Sequence, residues 1–234
     1  MNTPAPARFT PVKEAYRLWA SHYDTTPNPL LSLEQRSLAR MLPSAAGCDV
    51  VDLGCGTGRW LTQLAKLGPR SLVGVDFSEQ MLAKASMKQV PGVRLVQADC
   101  LATPLPGSSS DWILASFLLS YIDDLPRFAH EVARIARAGA VVLISDVHPE
   151  TRNYGWKRTF RAAHQVIEIQ SHAYQIAGLQ REMKNAGFES TFLHELPFGE
   201  EEKNIYFDAG RADLFSSVQE LPVLLVAGYR RSAG

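Results

Sequence analysis

Apolar and polar positions follow two rhythms between residues 49 and 145. Short runs rich in β-branched and other apolar residues predict strands, and these runs lie at 49–53, 71–75, 93–98, 112–116 and 140–145. The stretches between them carry helical spacing or helix-start residues such as Ser78. Because strands that alternate with helices form parallel sheets with right-handed crossovers, we expect an α/β fold.

The pattern changes on both sides of this core. Residues 1–44 contain two stretches of helical spacing, 13–22 and 31–42, separated by prolines that cannot continue a helix. Residues 147–170 are rich in aromatic and basic side chains and form a stretch too long for an ordinary crossover loop.

The remaining residues complete a single expected domain over 1–234. They predict a helix over 171–186, two final strands over 188–196 and 222–230, and a loop over 198–219. We therefore expect a core over 45–146 with insertions at 147–170 and 198–219.

Composition narrows the class of protein. Lys and Arg number 24, as do Asp and Glu, so the formal net charge of zero gives no reason to expect nucleic-acid or membrane binding. The three cysteines form no CxxC pair, so we expect neither a disulfide framework nor a metal site. The chain shows no apolar signal core and no run of about 18 apolar residues, and we expect a cytoplasmic protein of undetermined oligomeric state.

Residues 50–58 read Val-Val-Asp-Leu-Gly-Cys-Gly-Thr-Gly, an apolar strand that runs into three glycines. Glycines there let the backbone turn tightly and approach a ligand. A dinucleotide fingerprint has its third small residue five positions after the first, where this chain has Arg59, and the third glycine is Gly58. The spacing resembles the first motif of class I methyltransferases, while an NAD-type site and a structural turn remain alternatives.

Two carboxylates follow the next two predicted strands. Asp76 comes about 20 residues after the glycines, where a carboxylate can accept hydrogen bonds from ribose hydroxyls. Asp99 follows the third strand, where it can accept a hydrogen bond from an adenine amino group. Both would lie at the carboxyl edge of the sheet, where open α/β sheets bind ligands, although either alone could be a solvated loop residue.

Taken together, residues 45–145 resemble the methyltransferase type 11 family, which includes ubiquinone- and biotin-pathway enzymes. The resemblance implies a Rossmann-like, seven-stranded, mostly parallel sheet with an antiparallel last strand and helices on both faces. It also implies S-adenosylmethionine as cofactor and S-adenosylhomocysteine as product. The segment 137–140, Arg-Ala-Gly-Ala, departs from the Lys-Pro-Gly-Gly turn that relatives often have.

Matching positions supply the implied cofactor site. They are Asp52, Gly54, Cys55, Gly56, Gly58, Ser116 and Phe117 at the methionine end, Asp76 at the ribose, Phe77, Met81, Asp99 and Cys100 around the adenine, and Tyr23 from the N-terminal segment. For Tyr23 the alternative is simple packing on the sheet.

The acceptor site would be covered by the N-terminal helices and both insertions. The candidate substrate-binding residues are Tyr16, Tyr121, Trp156, His164 and Tyr206. Methyl transfer needs mainly positioning and a dry pocket, and a base only where the acceptor must lose a proton. His148 follows the fifth strand and is the candidate base, with a structural role as the alternative.

These residues predict a methyltransferase for a small molecule, with the acceptor atom open among oxygen, nitrogen and carbon. A nucleic-acid methyltransferase is the nearest alternative, but residues 115–118, Ala-Ser-Phe-Leu, lack the Asn/Asp-Pro-Pro-aromatic motif of the amino-directed enzymes. A non-catalytic adenosyl-binding module remains a second alternative. An NAD oxidoreductase is disfavoured by Arg59 and Asp99.

Overall fold

The computed structural model describes residues 8–20, 23–24, 27–162 and 165–233. Its strands are β1 (Arg8–Thr10), β2 (Asp49–Leu53), β3 (Ser71–Asp76), β4 (Val93–Gln97), β5 (Ser110–Ser116), β6 (Ala136–Val147), β7 (Thr159–Ala162), β8 (Gln165–Ile169), β9 (Phe188–Leu196) and β10 (Leu224–Arg231). Its helices are α1 (Val12–Trp19), α2 (Pro29–Ala39), α3 (Arg59–Leu64), α4 (Glu79–Met87), α5 (Leu125–Ile135), α6 (Ile176–Asn185), α7 (Glu200–Asp208) and α8 (Ala212–Val218).

Seven strands form one sheet in the order β4-β3-β2-β5-β6-β10-β9. The strands from β4 to β6 pair in parallel, and β10 pairs antiparallel with both β6 and β9. The expected α/β fold, its seven-stranded sheet and its antiparallel last strand are therefore confirmed. The chain adds β3 and β4 on one side of β2 and then places β5 on the other side, so the strand order reverses between β2 and β5. Open α/β sheets form their ligand crevice at such a reversal, outside the carboxyl ends of the strands.

Helices cover both faces of this sheet. On one face, α5 and α6 bury Phe128, Val132 and Met183 against the strands. On the other, α2, α3 and α8 bury side chains such as Trp60 and Phe215. The two apolar layers hold the strands rigidly and so fix the positions of the residues that follow them.

The insertion at 147–170 folds in a way that the spacing did not predict. Its strands β7 and β8 form an antiparallel hairpin, and β1 from the start of the described chain pairs in parallel with β8. Phe160 and Ile167 of this three-stranded sheet pack against α1 through Ala15. The insertion and the N-terminal segment therefore form one structural unit.

Two other expectations were wrong. The loop expected over 198–219 contains α7 and α8. Helix α7 depends on a contact with α2, because the fully buried carboxylate of Glu202 accepts hydrogen bonds from Arg36 and Ser32. The helix expected to begin at residue 171 begins only at Ile176. No helix among the described residues has the length and apolar character needed to cross a membrane.

Candidate functional site

A cavity of about 440 Å³ opens at the carboxyl edge of the large sheet. It lies among the segments that follow β2, β3, β4 and β5, and α1 closes one side of it. Its lining consists of Val12, Tyr16, Tyr23, Gly54, Gly56, Asp76, Phe77, Ala98, Asp99, Cys100, Leu101, Ser116, Phe117, Leu118, Tyr121, Ile122 and Asp123. Three of these described residues are aspartates and none is a cation, so the cavity favours a ligand that carries positive charge.

The glycine loop contributes its backbone to this cavity. A Cβ atom on Gly54 would approach Leu118 Cδ1 to 2.9 Å, and one on Gly58 would approach Ala85 Cβ to 3.0 Å. Gly56 differs, because a Cβ atom there would meet no protein atom within 4 Å and the residue lines the cavity. Gly54 and Gly58 therefore allow close packing, whereas Gly56 leaves space that a ligand can occupy.

Asp76 ties this loop to the end of β3. Its Oδ2 accepts the backbone N–H of Gly56 at 2.9 Å, and its Oδ1 accepts that of Ser78 at 2.8 Å. Burial raises the pKa of the Asp76 carboxyl, and the bonds from these two amides oppose that rise. Each carboxylate oxygen has a second lone pair, so Asp76 can still accept hydrogen bonds from a ligand.

Other residues at the carboxyl edge of the sheet follow β4 and β5. Asp99 is an exposed residue whose Oδ1 accepts the N–H of Leu101 at 2.9 Å, and Cys100 follows it on the cavity wall. Ser116 donates its hydroxyl hydrogen to Glu34 at 2.6 Å. Phe117, which follows it, has a positive φ of 50°, a strained backbone conformation for an aromatic residue.

Aromatic side chains form the end of the cavity beneath α1. The ring of Tyr16 lies edge-on to Phe77 at 6.3 Å and to Tyr121 at 5.4 Å between centroids. Burial raises the pKa of Tyr16 well above its usual value and that of Tyr23 to about 12. Both tyrosines therefore stay neutral near pH 7 and present hydroxyl groups.

Four of the predicted cofactor residues do not line the cavity. Asp52 is almost fully buried, its carboxylate oxygens have no hydrogen-bond partner among the described residues, and burial raises its pKa well above the usual value. Cys55, Gly58 and Met81 are packed against neighbouring side chains or fully enclosed. These residues support the loop from within, and direct contact with a cofactor stays a prediction for them.

Two of the predicted substrate residues lie in a different cluster. Trp156 stacks on Phe198 at 6.1 Å, and Tyr206 packs against Phe198 and Phe215 at 5.6 and 5.8 Å. Neither lines the main cavity. His164 lies outside the described residues, whereas Tyr16 and Tyr121 lie on the cavity wall.

His148 is enclosed by other contacts. Its side chain is 2% exposed, its Nε2 lies 2.6 Å from Glu195 Oε2, and its Nδ1 accepts the N–H of Glu150 at 3.2 Å. Both ring nitrogens are therefore engaged, and the residue does not line the main cavity. The geometry fits the structural alternative, and a role as base stays an untested prediction that the geometry does not support.

Sequence reasoning missed two buried ionic residues beside the site. Glu34 of α2 is fully buried and accepts hydrogen bonds from Trp60 Nε1, Arg59 and the hydroxyls of Ser116 and Ser145. Its only sequence signal is a charge within an apolar helical stretch. Glu34 holds the ends of β5 and β6 in place and thereby positions Ser116.

Arg158 is the second missed residue. It precedes β7, it ion-pairs with the fully buried Asp146 at 3.0 Å, and its guanidinium lies over the rings of Phe117 and Tyr121 at 5.3 and 5.5 Å. Its only sequence signal is its place in a run of aromatic and basic residues.

The fold and the cavity define a class of protein: a Rossmann-like domain with a cavity over a glycine loop at the switch point of the sheet. Residues 50–139, somewhat more than a third of the chain, match the family model described as a methyltransferase domain. Residues 50–139 are therefore similar to a methyltransferase domain, which agrees with the class I methyltransferase resemblance noted from the sequence.

Similar proteins agree with this family. The chain is 37% identical over 114 residues to a trans-aconitate 2-methyltransferase of Deinococcus radiodurans. The matched region covers 48% of this chain and 43% of the relative. It is 31% identical over 150 residues to a demethylmenaquinone methyltransferase of Lactococcus lactis, covering 59% of each. The chain thus spans only about half the length of these two relatives.

The fold also matches solved structures. A crystal structure of an S-adenosylmethionine-dependent methyltransferase from Mesorhizobium loti superposes with a TM-score of 0.68. That match has 23% identity and covers 85% of this chain and 97% of the other. At this identity the likeness concerns the fold.

Proposed function

We propose that this protein transfers a methyl group from S-adenosylmethionine to a small-molecule acceptor bound at the aromatic end of the cavity. The observation that carries the proposal is the open space above Gly56 in a cavity lined by three aspartates and no cation among the described residues. S-adenosylmethionine has a positively charged sulfonium, so its charge complements this lining.

The residues present fit the cofactor. Gly56 would let the backbone approach it, and the free lone pairs of Asp76 would accept hydrogen bonds from its ribose hydroxyls. Phe77, Asp99 and Cys100 follow β3 and β4 on the same wall and would surround the adenine. The cofactor supplies an electrophilic methyl group.

The protein itself would position the acceptor and exclude water from the reacting groups. Tyr16 and Tyr121 of the aromatic end lie edge-on to each other on the cavity wall beneath α1. Their hydroxyl groups can orient an acceptor through hydrogen bonds. The described lining contains no histidine, so an acceptor that is already ionised or nucleophilic suits this site better than one that needs a base.

The names of the relatives support small-molecule methylation. Trans-aconitate and demethylmenaquinone stand in the names of two of them. These acceptors differ chemically, so the names support the reaction class and leave the acceptor atom to experiment. The zero formal net charge also disfavours nucleic acid as the acceptor.

Calorimetry with S-adenosylhomocysteine and NAD tests the cofactor. We expect S-adenosylhomocysteine to bind and NAD to bind at least a hundredfold more weakly. Comparable affinities would refute the cofactor assignment.

Transfer from methyl-labelled S-adenosylmethionine to a small-molecule extract tests catalysis. Label should appear in low-molecular-weight products, and it should not when the extract is omitted. Tight S-adenosylhomocysteine binding without any transfer would favour the non-catalytic module, and transfer only to nucleic acid would favour the other alternative.

A further inference from the structure

Arg158 is a buried cation whose hydrogen-bonding capacity is largely unused. Its side chain is 19% exposed, and among the described residues only its Nη2 has a partner, the Oδ1 of Asp146. Its Nε is buried and has no hydrogen-bond partner within the described part of the chain. A guanidinium has donors on three nitrogens, and leaving them unpaired in a buried site is unfavourable.

Other contacts fix this guanidinium in place. Asp146 is fully buried and also accepts hydrogen bonds from the backbone N–H and the hydroxyl of Ser120. The carbonyl of Arg158 accepts the N–H of Ile169 at 2.7 Å, which anchors its backbone to the three-stranded sheet. These contacts preorganise the guanidinium of Arg158.

Arg158 lines a small void whose walls include residues of the main cavity. The void measures about 30 Å³, is lined by Arg158, and shares Tyr16, Tyr23, Phe117 and Tyr121 with the lining of the main cavity. The aromatic end of the cavity is thus bordered by one cation, although the main cavity has none among its described lining residues.

We propose that Arg158 determines acceptor specificity by binding a carboxylate group of the acceptor at this aromatic end. The inference rests on the proposed function, because it places the acceptor beside the cofactor site. Guanidinium groups bind carboxylates through paired, charge-assisted hydrogen bonds, and such a ligand would satisfy the unpaired donors. Its negative charge would also lie beside the cationic sulfonium.

The surrounding charges favour a carboxylate over a phosphate. The adjacent Lys157 is 63% exposed and paired with Glu168, and Arg59 is paired with the buried Glu34. Arg158 therefore acts alone, and part of its charge is already balanced by Asp146. A singly charged, planar group matches one guanidinium better than a dianion does.

Benzoate and benzamide provide a matched pair of probes, because they have nearly the same shape and differ in charge. Their binding would be measured by calorimetry on the protein saturated with S-adenosylhomocysteine. We expect benzoate to bind at least tenfold more tightly than benzamide, and phenyl phosphate to bind more weakly than benzoate. In Arg158→Met the preference for benzoate should disappear while S-adenosylhomocysteine affinity stays within about threefold of wild type.

Lys157→Met is the matched control, since it removes a cation from the neighbouring, outward-facing position, and it should keep the preference. If Arg158→Met leaves Asp146 uncompensated and does not fold, the double variant Asp146→Asn/Arg158→Met removes both buried charges and takes its place.

Equal binding of the two probes, no benzoate binding, tighter phenyl phosphate binding, or a preference that survives the loss of Arg158 would each overturn the inference. Failure of S-adenosylhomocysteine to bind wild type would instead refute the proposed function.

Discussion

Gly56→Ala tests whether the open space above the glycine loop is the cofactor site. Gly56 has φ of +53°, and its new Cβ atom would meet no protein atom within 4 Å. The substitution therefore adds one methyl group to the cavity and places alanine in the left-handed region, which costs about 1–2 kcal/mol of folding free energy. If a ligand lies against this backbone, the methyl group must also displace it.

The two effects can be separated with a second glycine. Gly92 has φ of +72° and equally open surroundings, but it lies in an exposed turn away from the cavity. We expect Gly92→Ala and Gly56→Ala to lose similar stability by denaturant unfolding. Only Gly56→Ala should lose S-adenosylhomocysteine affinity by calorimetry, by tenfold or more, or about 1.4 kcal/mol. Equal affinity in the two variants would show that the loop is a structural turn.

Three further changes test individual residues. Asp76→Asn should weaken S-adenosylhomocysteine binding and lower the unfolding free energy by about 1.5–3 kcal/mol, because the NH₂ group of asparagine would face a backbone N–H. Unchanged affinity by calorimetry would refute the ribose role of Asp76. His148→Ala should cost about 1 kcal/mol of stability by removing the cap and the bond to Glu195, and a hundredfold loss of turnover in the folded variant would revive its role as base. The hydrogen bond from Arg70 is the main cause that lowers the pKa of Asp49 from its usual 3.8. Its stabilisation is therefore full well above that pH and declines progressively as the pH falls from there towards the lowered pKa. The difference in unfolding free energy between wild type and Asp49→Asn should be smaller at pH 3 than at pH 6, and a constant difference would contradict the ion pair.

The parallel part of the large sheet was predictable because its strands contain apolar stretches between turn or helix signals. The missed helix α7 begins with three consecutive glutamates and has no regular apolar face. It is held instead by the buried pair of Glu202 with Arg36 of α2, more than 160 residues earlier in the chain. The three-stranded sheet escaped prediction for the same reason, since β1 has only three residues and pairs with the distant β8.

Part of the candidate site followed from a single rule about strand ends. Parallel strands bring their carboxyl ends to one edge, so Asp76, Asp99 and Ser116 could be placed there from their order along the chain. The same rule misplaced His148, because β6 continues to Val147 beside β10, and the N–H of His148 bonds to Val223. The position of Arg158 could not be predicted from the sequence, because it depends on the fold that the insertion forms with the N-terminal segment.

The contacts that attach the N-terminal segment, including α1, over the cavity differ greatly in strength. The ion pair between Asp24 and Lys88 has a distance of 2.7 Å, but both side chains are about a third exposed, and such pairs contribute at most about 1 kcal/mol. Trp19 stacks on Phe160 at 4.8 Å, and Tyr16 lies edge-on to the rings beside the cavity. Aromatic pairs contribute about 0.5–1.5 kcal/mol each beyond the burial of their area. Because Tyr16 both attaches the helix and lines the cavity, the packing that holds α1 in place also shapes the aromatic end of the cavity.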